Sequence, residues 1–200
     1  MPNKILVATG NPGKLKDFRT VLADVELELV TLKDLQITAE PPEDQATFEA
    51  NSLQKATFYH TLSGLPTLAD DGGFEMDFLY GQPGVKSRRW GGYAMTDDEL
   101  IAMTVEKMRS APPNQLGCGF RTVVTLVIDN QTYFQTEGSI RGEYREPCQT
   151  VVVGYPFRSV VFLPPFGKYF AELEPEVERR ISHHHDSIQK IVPFIKQHLL

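Results

Sequence analysis

A chain of 200 residues, 41% hydrophobic and 23% charged, has the composition of an ordinary soluble globular protein with one large domain or two closely packed lobes. The net charge of −6 argues against wrapping of a nucleic-acid backbone, but it permits a small anionic ligand held by a few local cations. The two cysteines lack the spacing of a metal or redox site, and no apolar run approaches the roughly 20 residues of a membrane span. Because a signal-peptide pattern is also missing, we expect a cytoplasmic protein without a membrane partner.

The first predicted strand, Ile5–Thr9, is a continuous apolar run typical of a buried strand. A glycine-rich turn, Gly10–Lys14, follows it, and apolar residues then recur at helical spacing from Leu15 to Leu22. A strand, a glycine-rich turn and a helix aim free backbone N–H groups at an anion, and Lys14 adds a positive charge there. The turn does not match a Walker loop, so an ordinary strand-to-helix turn remains the alternative interpretation.

The next predicted strand, Leu27–Val30, leads into a polar loop over residues 38–46 that is broken by prolines. The loop carries Glu40 and Glu43, and either carboxylate could reach a metal ion in an active site. Solvated loop carboxylates are the alternative interpretation for each of them.

A helix is predicted over Thr47–Leu62, and Ser63-Gly64 ends it. Asn51 and Lys55 are four residues apart and therefore share one face of this helix. Together they indicate either the lining of a phosphate pocket or the solvated side of the helix.

The apolar run Thr67–Ala69 predicts a short buried strand that stops at two adjacent carboxylates, Asp70 and Asp71. Neighbours on a strand point to opposite faces, so both side chains enter one pocket only if the strand breaks there. Gly72 and Gly73 are expected to supply that break. Two acids at a strand end suit a divalent cation and an activated water, although a solvated turn has the same composition.

Two further segments follow this turn. The glycine-framed loop Gly81–Gly92 concentrates Lys86, Arg88 and Arg89 in an acidic protein, which suggests an anion clamp. Thr96–Glu99 is a capping box that opens a helix to about Arg109, so its acids are assigned to stability and not to catalysis.

The β-rich runs Phe120–Ile128 and Tyr133–Ser139 predict a hairpin, and Arg141–Pro147 is charged and typical of a turn. Valine-rich runs then flank the loop Gly154–Ser159. Its two aromatic side chains could stack on a flat ring, and core packing is an equal alternative.

The C-terminal part predicts a helix of about ten residues from Pro175 and a last helix from Asp186 towards Leu200. Three consecutive histidines, His183 to His185, lie between them. Adjacent helical residues do not share a face, which argues against a metal site. We expect one of the histidines to face a ligand and the others to be exposed.

These motifs together resemble the inosine triphosphate pyrophosphatase family, which acts on non-standard purine nucleoside triphosphates. The residues that carry the resemblance are Thr9–Lys14, Thr47–Ala56, Leu65–Asp77, Gly81–Arg89, Arg145–Pro147, Gly167–Lys168, Ala171–Glu172 and Ile181–His183.

The resemblance implies an α/β fold: an elongated mixed sheet in two lobes, with flanking helices and a central nucleotide cleft. It implies a single domain over residues 1–200, whose lobes are not separable as linear segments, and a homodimer. It also implies Mg²⁺-dependent hydrolysis of ITP, XTP or dITP to the monophosphate and pyrophosphate.

Site residues follow from the same motifs. The resemblance implies that Asp71 is the water-activating base and a metal ligand, that Asp70 supports it, and that Glu40 or Glu43 completes the metal site. The implied substrate-binding residues are Thr9, Asn11, Lys14, Lys55, Gly72, Arg89, Tyr155, Phe157, Arg158, Lys168, His183 and His184.

The departures from the family pattern concentrate at the end of the site that would read the base. There Arg158 replaces an aspartate that accepts from the base, and His184 replaces an arginine, whereas Gly72 replaces a serine directly after the Asp pair. An arginine can only donate hydrogen bonds. We therefore keep two alternatives: the same hydrolysis with an altered base preference, and a nucleotide-binding protein without catalysis, against which the presence of Asp71 argues.

Overall fold

The computed structural model describes residues 3–200 and contains one mixed sheet flanked by helices, which confirms the predicted α/β class. The strands are β1 (Asn3–Val7), β2 (Leu27–Thr31), β3 (Thr67–Met76), β4 (Pro83–Gly84), β5 (Gly117–Val127), β6 (Tyr133–Tyr144), β7 (Val161–Leu163) and β8 (Lys168–Tyr169). The helices are α1 (Pro12–Val21), α2 (Phe48–Ser63), α3 (Asp97–Met108), α4 (Pro175–Arg180) and α5 (His183–Leu199).

The sheet has the order β2-β1-β3-β5-β6-β7-β8, and β4 pairs with β3. Strand β1 is parallel to both β2 and β3, whereas the pairs β3–β4, β6–β7 and β7–β8 are antiparallel. The predicted hairpin is confirmed as two neighbouring strands, β5 and β6, joined by a short loop in which the Ile128 N–H donates to the Thr132 carbonyl at 2.9 Å.

The chain forms two compact units, and each unit is built from several stretches of sequence. The first unit extends to Gly72 and adds Thr122–Gly138 and His183–Leu200, so it holds α1, α2 and α5. The second unit comprises Gly73–Arg121 and Ser139–Ser182 and holds α3 and α4.

The first unit has three layers because successive strand residues alternate between the two faces of the sheet. Ile5, Val7 and Leu68 pack on one face against the apolar sides of α1 and α5. Leu6, Ala8 and Ala69 pack on the other face against α2. Full burial of a large aliphatic side chain contributes about 1.5–3 kcal/mol, so this alternation fixes which face each later residue of β3 must take.

The second unit has its own core, formed by the end of β3, helix α3, strand β7 and the segments that carry Phe157 and Phe170. Its largest fully buried side chains include Phe74, Leu100 and Phe170. The predicted capping box is confirmed at the start of α3, where the Thr96 hydroxyl accepts from the Glu99 N–H and the Glu99 carboxylate accepts from the Thr96 N–H.

The predicted boundaries of β6, α4 and α5 were wrong. Strand β6 continues to Tyr144: Ile140 and Tyr144 are buried, and Arg141 and Glu143, which lie between them, are exposed, an arrangement hidden by the charged composition. Helix α4 has 6 residues and not about ten. Helix α5 begins at His183, so all three histidines lie in its first turn.

None of the helices within residues 3–200 combines the length and the apolar character that a membrane span requires.

Candidate active site

The first unit brings together most of the predicted catalytic and phosphate-binding residues at the end of β1. There the Asn11 side chain caps α1, and its Oδ1 accepts from the Gly13 and Lys14 N–H groups at 2.8 and 3.3 Å. Thr9 Oγ1 accepts in turn from the Asn11 N–H at 3.2 Å. The cap orients the first turn of α1 and so directs Lys14 towards β3.

Asp70 and Lys14 form an ion pair, with 2.5 Å between Nζ and Oδ2. The Asp70 side chain is 2% exposed, whereas a third of the Lys14 side chain, 33%, is exposed. Burial alone would raise the pKa of Asp70, but the charges of Lys14, His184 and Lys55 outweigh it and hold that pKa at about 2. Burial likewise would lower the pKa of Lys14, but the attraction of Asp70 raises it. Asp70 is therefore a permanent carboxylate and a weak base.

The expected break after Asp71 is absent, and this prediction was wrong. Strand β3 runs without interruption from Thr67 to Met76 through Gly72 and Gly73. Glycine permits a turn but does not require one, and β4 pairs with this part of β3, with Phe74 opposite Gly84. The two carboxylates therefore do not share one side of the strand: Asp70 follows Leu68 towards α1 and α5, and Asp71 follows Ala69 towards α2.

Asp71 is half-buried beside α2, where its Oδ2 accepts from Asn51 Nδ2 at 3.0 Å. Its pKa is raised, first because of burial and further because of the nearby Glu43 charge; Lys55, the Asn51 hydrogen bond and Lys14 oppose the rise without cancelling it. Asp71 thus holds a proton more readily than an ordinary carboxylate does. The strand separates a strong counter-ion, Asp70, from a better base, Asp71.

Lys55 lies on α2 and connects the polar loop to the strand. Its Nζ is 2.6 Å from Glu43 Oε1 and donates to the Asp70 carbonyl at 3.0 Å. Asn51 also anchors the loop, since its Oδ1 accepts from the Gln45 N–H at 2.9 Å. The shared face of Asn51 and Lys55 on α2 therefore meets both the loop and the site. Glu40 is exposed, and its charge helps to raise the pKa of Tyr59.

The structure buries His184, which was expected to contact the substrate. Its ring is 7% exposed, and Nδ1 lies 2.8 Å from Asp17 Oδ2, while Nε2 lies 3.7 Å from Asp70 Oδ2. His185 is not exposed as expected, since its Nε2 lies 2.9 Å from Asp17 Oδ1, and His183 is half-buried. Sequence reasoning missed Asp17. The only available signal was an acid one turn after the glycine-rich loop, which looks like an ordinary surface residue of a helix.

The second unit contains Tyr155, Phe157 and Arg158, which were expected to contact the base. Arg158 is not directed to solvent: its side chain is 15% exposed, its Nη1 is 2.8 Å from Glu178 Oε1, and its guanidinium lies 4.2 Å from the centre of the Tyr155 ring. Phe157 is a core residue, stacked on Phe74 with ring centres 4.5 Å apart, so the core interpretation holds for this ring. Tyr155 is 44% exposed and remains available to a ligand.

The other predicted substrate-binding residues are distributed over both units. Arg89 and Lys168 are exposed in the second unit, and Gly72 is half-buried within β3 in the first. Sequence reasoning also missed Asp97, whose Oδ2 accepts from the Gly154 N–H at 2.6 Å and whose Oδ1 lies 2.7 Å from Arg88. The acid assigned to helix capping therefore also fixes the loop that carries Tyr155.

Comparison with known proteins identifies the relatives of this chain. Residues 5–194 match the Ham1 family. A dITP/XTP pyrophosphatase of Thermus thermophilus is 35% identical over 96% of this chain and 92% of its own length, and one of Escherichia coli is 32% identical over 96% and 98%. A HAM1 protein from Coxiella burnetii superimposes with a TM-score of 0.88 at 27% identity, over 98% of this chain and 99% of its own. A nucleoside-triphosphatase, dITP/XTP pyrophosphatase, from Mycobacterium abscessus gives 0.80 at 31% identity, over 96% and 99%. These relationships confirm the family resemblance seen in the motifs.

Proposed function

The chain belongs to the Ham1 family, and on that premise we propose that it hydrolyses non-standard purine nucleoside triphosphates, such as ITP, XTP and dITP, to the monophosphate and pyrophosphate. The observation that carries this proposal is the pair of unlike carboxylates on β3. Asp70 is a fixed counter-ion, and Asp71 has a raised pKa and lies beside two lysines.

Asp71 is the general base of this reaction. It accepts a proton from water as the water oxygen forms a bond to the α-phosphorus, and the bond from that phosphorus to the bridging oxygen breaks to release pyrophosphate. A base whose pKa is raised towards the working pH transfers protons more effectively than an ordinary carboxylate does. Asn51 holds Oδ2 of Asp71 at 3.0 Å and so keeps the carboxylate in one orientation.

Lys14 and Lys55 bind the polyphosphate. Both charges lower the pKa of Asp71, which places both ammonium groups within electrostatic range of the base. Their present partners, Asp70 and Glu43, hold them in position until the triphosphate takes their place. Thr9 and Asn11 shape the first turn of α1, from which Lys14 extends.

The residues present fit a divalent cation, and the preferred ion is Mg²⁺. Within residues 3–200 no three acids or histidines form a ready-made cluster, but Mg²⁺ keeps several waters and takes only one or two protein carboxylates besides substrate phosphates. Asp71 and Glu43 repel each other, and this repulsion raises the pKa of Asp71. A cation between two such carboxylates would relieve the repulsion, so Asp71 and Glu43, and not Glu40, would hold it. When bound, the ion supplies Lewis-acid polarisation of the phosphate.

An altered base preference is the second candidate function, and the Arg158–Glu178 pair favours it. The guanidinium is fixed between a carboxylate and the Tyr155 ring, so Arg158 cannot accept a hydrogen bond from a base. A homodimer and a cytoplasmic location belong to the same proposal, and the free thiols of Cys118 and Cys148 support the latter.

The test is a panel of nucleoside triphosphates incubated with the wild-type protein and Mg²⁺, in which pyrophosphate and orthophosphate are measured separately. We expect one pyrophosphate for each monophosphate formed, with ITP, XTP or dITP among the substrates. Release of orthophosphate would contradict the proposed bond cleavage, and no release from any substrate would favour a nucleotide-binding protein without catalysis.

A further inference from the structure

The buried histidine of α5 stands next to the ion pair at the centre of the site. His184 Nε2 is buried, and it has no hydrogen-bond partner within residues 3–200. It lies 3.7 Å from Oδ2 of Asp70, and that same oxygen is 2.5 Å from Nζ of Lys14. A lysine ammonium and an imidazole nitrogen therefore face the same carboxylate oxygen, and Lys14 is the closer of the two.

The other side of the ring is fixed. Nδ1 of His184 lies 2.8 Å from Oδ2 of Asp17, and the edge contact with Phe18, at 5.4 Å between ring centres, holds the ring plane. The charged and titratable groups around the ring are Asp17, Asp70, Lys14 through Asp70, and His185 through Asp17. Because both ring nitrogens face carboxylates, only the doubly protonated ring can donate to both of them.

This arrangement addresses a difficulty in the proposed binding of triphosphate. If Lys14 turns to a phosphate, Asp70 loses the partner that neutralises it, although its side chain is 2% exposed. Removing one partner of a buried ion pair is strongly unfavourable, because the remaining charge is left without compensation. A second cation that reaches the same oxygen removes most of this cost.

We propose that His184 is the reserve partner of Asp70: when Lys14 turns to the triphosphate, the His184 imidazolium closes on Oδ2 of Asp70 and keeps that carboxylate paired. The exchange breaks one ion pair and forms another, and no covalent bond changes. Asp17 is the positioning residue for the ring. The inference rests on the proposed function, since it assumes that Lys14 binds phosphate.

The consequence is a specific dependence of triphosphate affinity on His184. His184→Gln keeps a polar side chain but cannot carry a positive charge. When Lys14 is released in this variant, the Asp70 carboxylate is left without a cationic partner. We expect the dissociation constant for ITP, measured by calorimetry without divalent metal, to rise at least about tenfold. The constant for IMP should change by no more than about twofold, because a monophosphate does not require Lys14.

A double-variant cycle separates this role from a general structural one. Asp70→Asn removes the buried charge, so His184→Gln should have almost no further effect on ITP affinity in that background. His185→Gln is the matched control, because His185 also contacts Asp17, and it should bind ITP as the wild type does. If His184→Gln does not fold, Asp17→Asn replaces it in the cycle, because it removes the group that orients the ring, and His185→Gln controls for the second contact of Asp17.

Equal losses of ITP affinity in the wild-type and Asp70→Asn backgrounds would overturn the inference, as would an unchanged affinity for His184→Gln. A wild-type protein that binds ITP no better than IMP would instead overturn the proposed function, and this inference with it. The two failures are distinguishable because the first requires normal binding of ITP by the wild type.

Discussion

Replacement of Lys14 by alanine should destabilise the folded protein through Asp70. The carboxyl has a pKa of about 2 in the folded state, against about 3.9 in an unfolded chain, and such a difference contributes roughly 2–3 kcal/mol of stability at neutral pH. Loss of Lys14 removes most of that contribution. The full cost of a buried charge without any partner, about 3–5 kcal/mol, should not be reached, because His184 lies 3.7 Å away.

The assay is urea unfolding at neutral pH and again in acid. Because the folded pKa of Asp70 is depressed, its stabilising contribution is present above about pH 3.9 and disappears as the pH falls towards 2. The difference between Lys14→Ala and the wild type should therefore be about 2 kcal/mol at neutral pH and should shrink in acid. Lys16→Ala, at an exposed position of the same helix, is the control and should change stability by less than about 0.5 kcal/mol.

A double variant shows whether the loss of stability in Lys14→Ala is electrostatic. In an Asp70→Asn background there is no buried charge to compensate, so Lys14→Ala should cost little. If Lys14→Ala destabilises the protein equally in both backgrounds, the effect comes from lost packing of the lysine stem and the electrostatic reasoning is refuted.

Two further predictions concern the ligand. Lys55→Ala should weaken ITP binding far more than IMP binding, because Lys55 is placed on the polyphosphate; equal losses by calorimetry would show that Lys55 acts only by holding Glu43. The wild type should prefer ITP over GTP by no more than about tenfold in kcat/KM, since the fixed Arg158 cannot accept from the base and mismatched donors cost about 1–3 kcal/mol. Arg158→Asp combined with Glu178→Gln should raise that preference, and a strong preference already in the wild type would argue against an altered pocket.

The sequence predicted the parts of the fold in which local pattern and packing agree. The helical spacing of α1, the face of α2 that bears Asn51 and Lys55, and the capping box of α3 lie where they were expected. The apolar run of the first strand was also recognised, although β1 ends at Val7 and not at Thr9. In each of them the periodicity of the side chains matches the burial that the layers impose.

The sequence misled where glycine or charge hid an extended strand. Gly72 and Gly73 were interpreted as a turn, although pairing along β3 keeps them extended. The consequence reaches the chemistry, because a continuous strand separates Asp70 and Asp71 onto two faces and gives them opposite pKa shifts. No pattern local to residues 67–73 contains that information, since it depends on the neighbouring strand.

The sequence also provided no indication of contacts between residues that are far apart in the chain. Asp17 meets His184 across 167 positions, and Asp97 meets Gly154 across 57. Asp17 looked like an ordinary surface residue of α1, and Asp97 was assigned to the first turn of α3. The sequence therefore did not indicate a distant partner for either acid. A motif names the residues of a site, whereas their partners follow only from the packing of the elements that carry them.

The most direct test of the account is pyrophosphate release by Asp71→Asn, with ITP and Mg²⁺ at saturating concentrations. The substitution keeps the size of the side chain but removes the base and one carboxylate of the metal site, so kcat should fall at least about 100-fold. Binding of ITP without metal should change little, and Asp24→Asn, the same substitution at an exposed position of the first unit, should retain full activity. Hydrolysis by Asp71→Asn at the wild-type rate would contradict the assignment of Asp71 as the base.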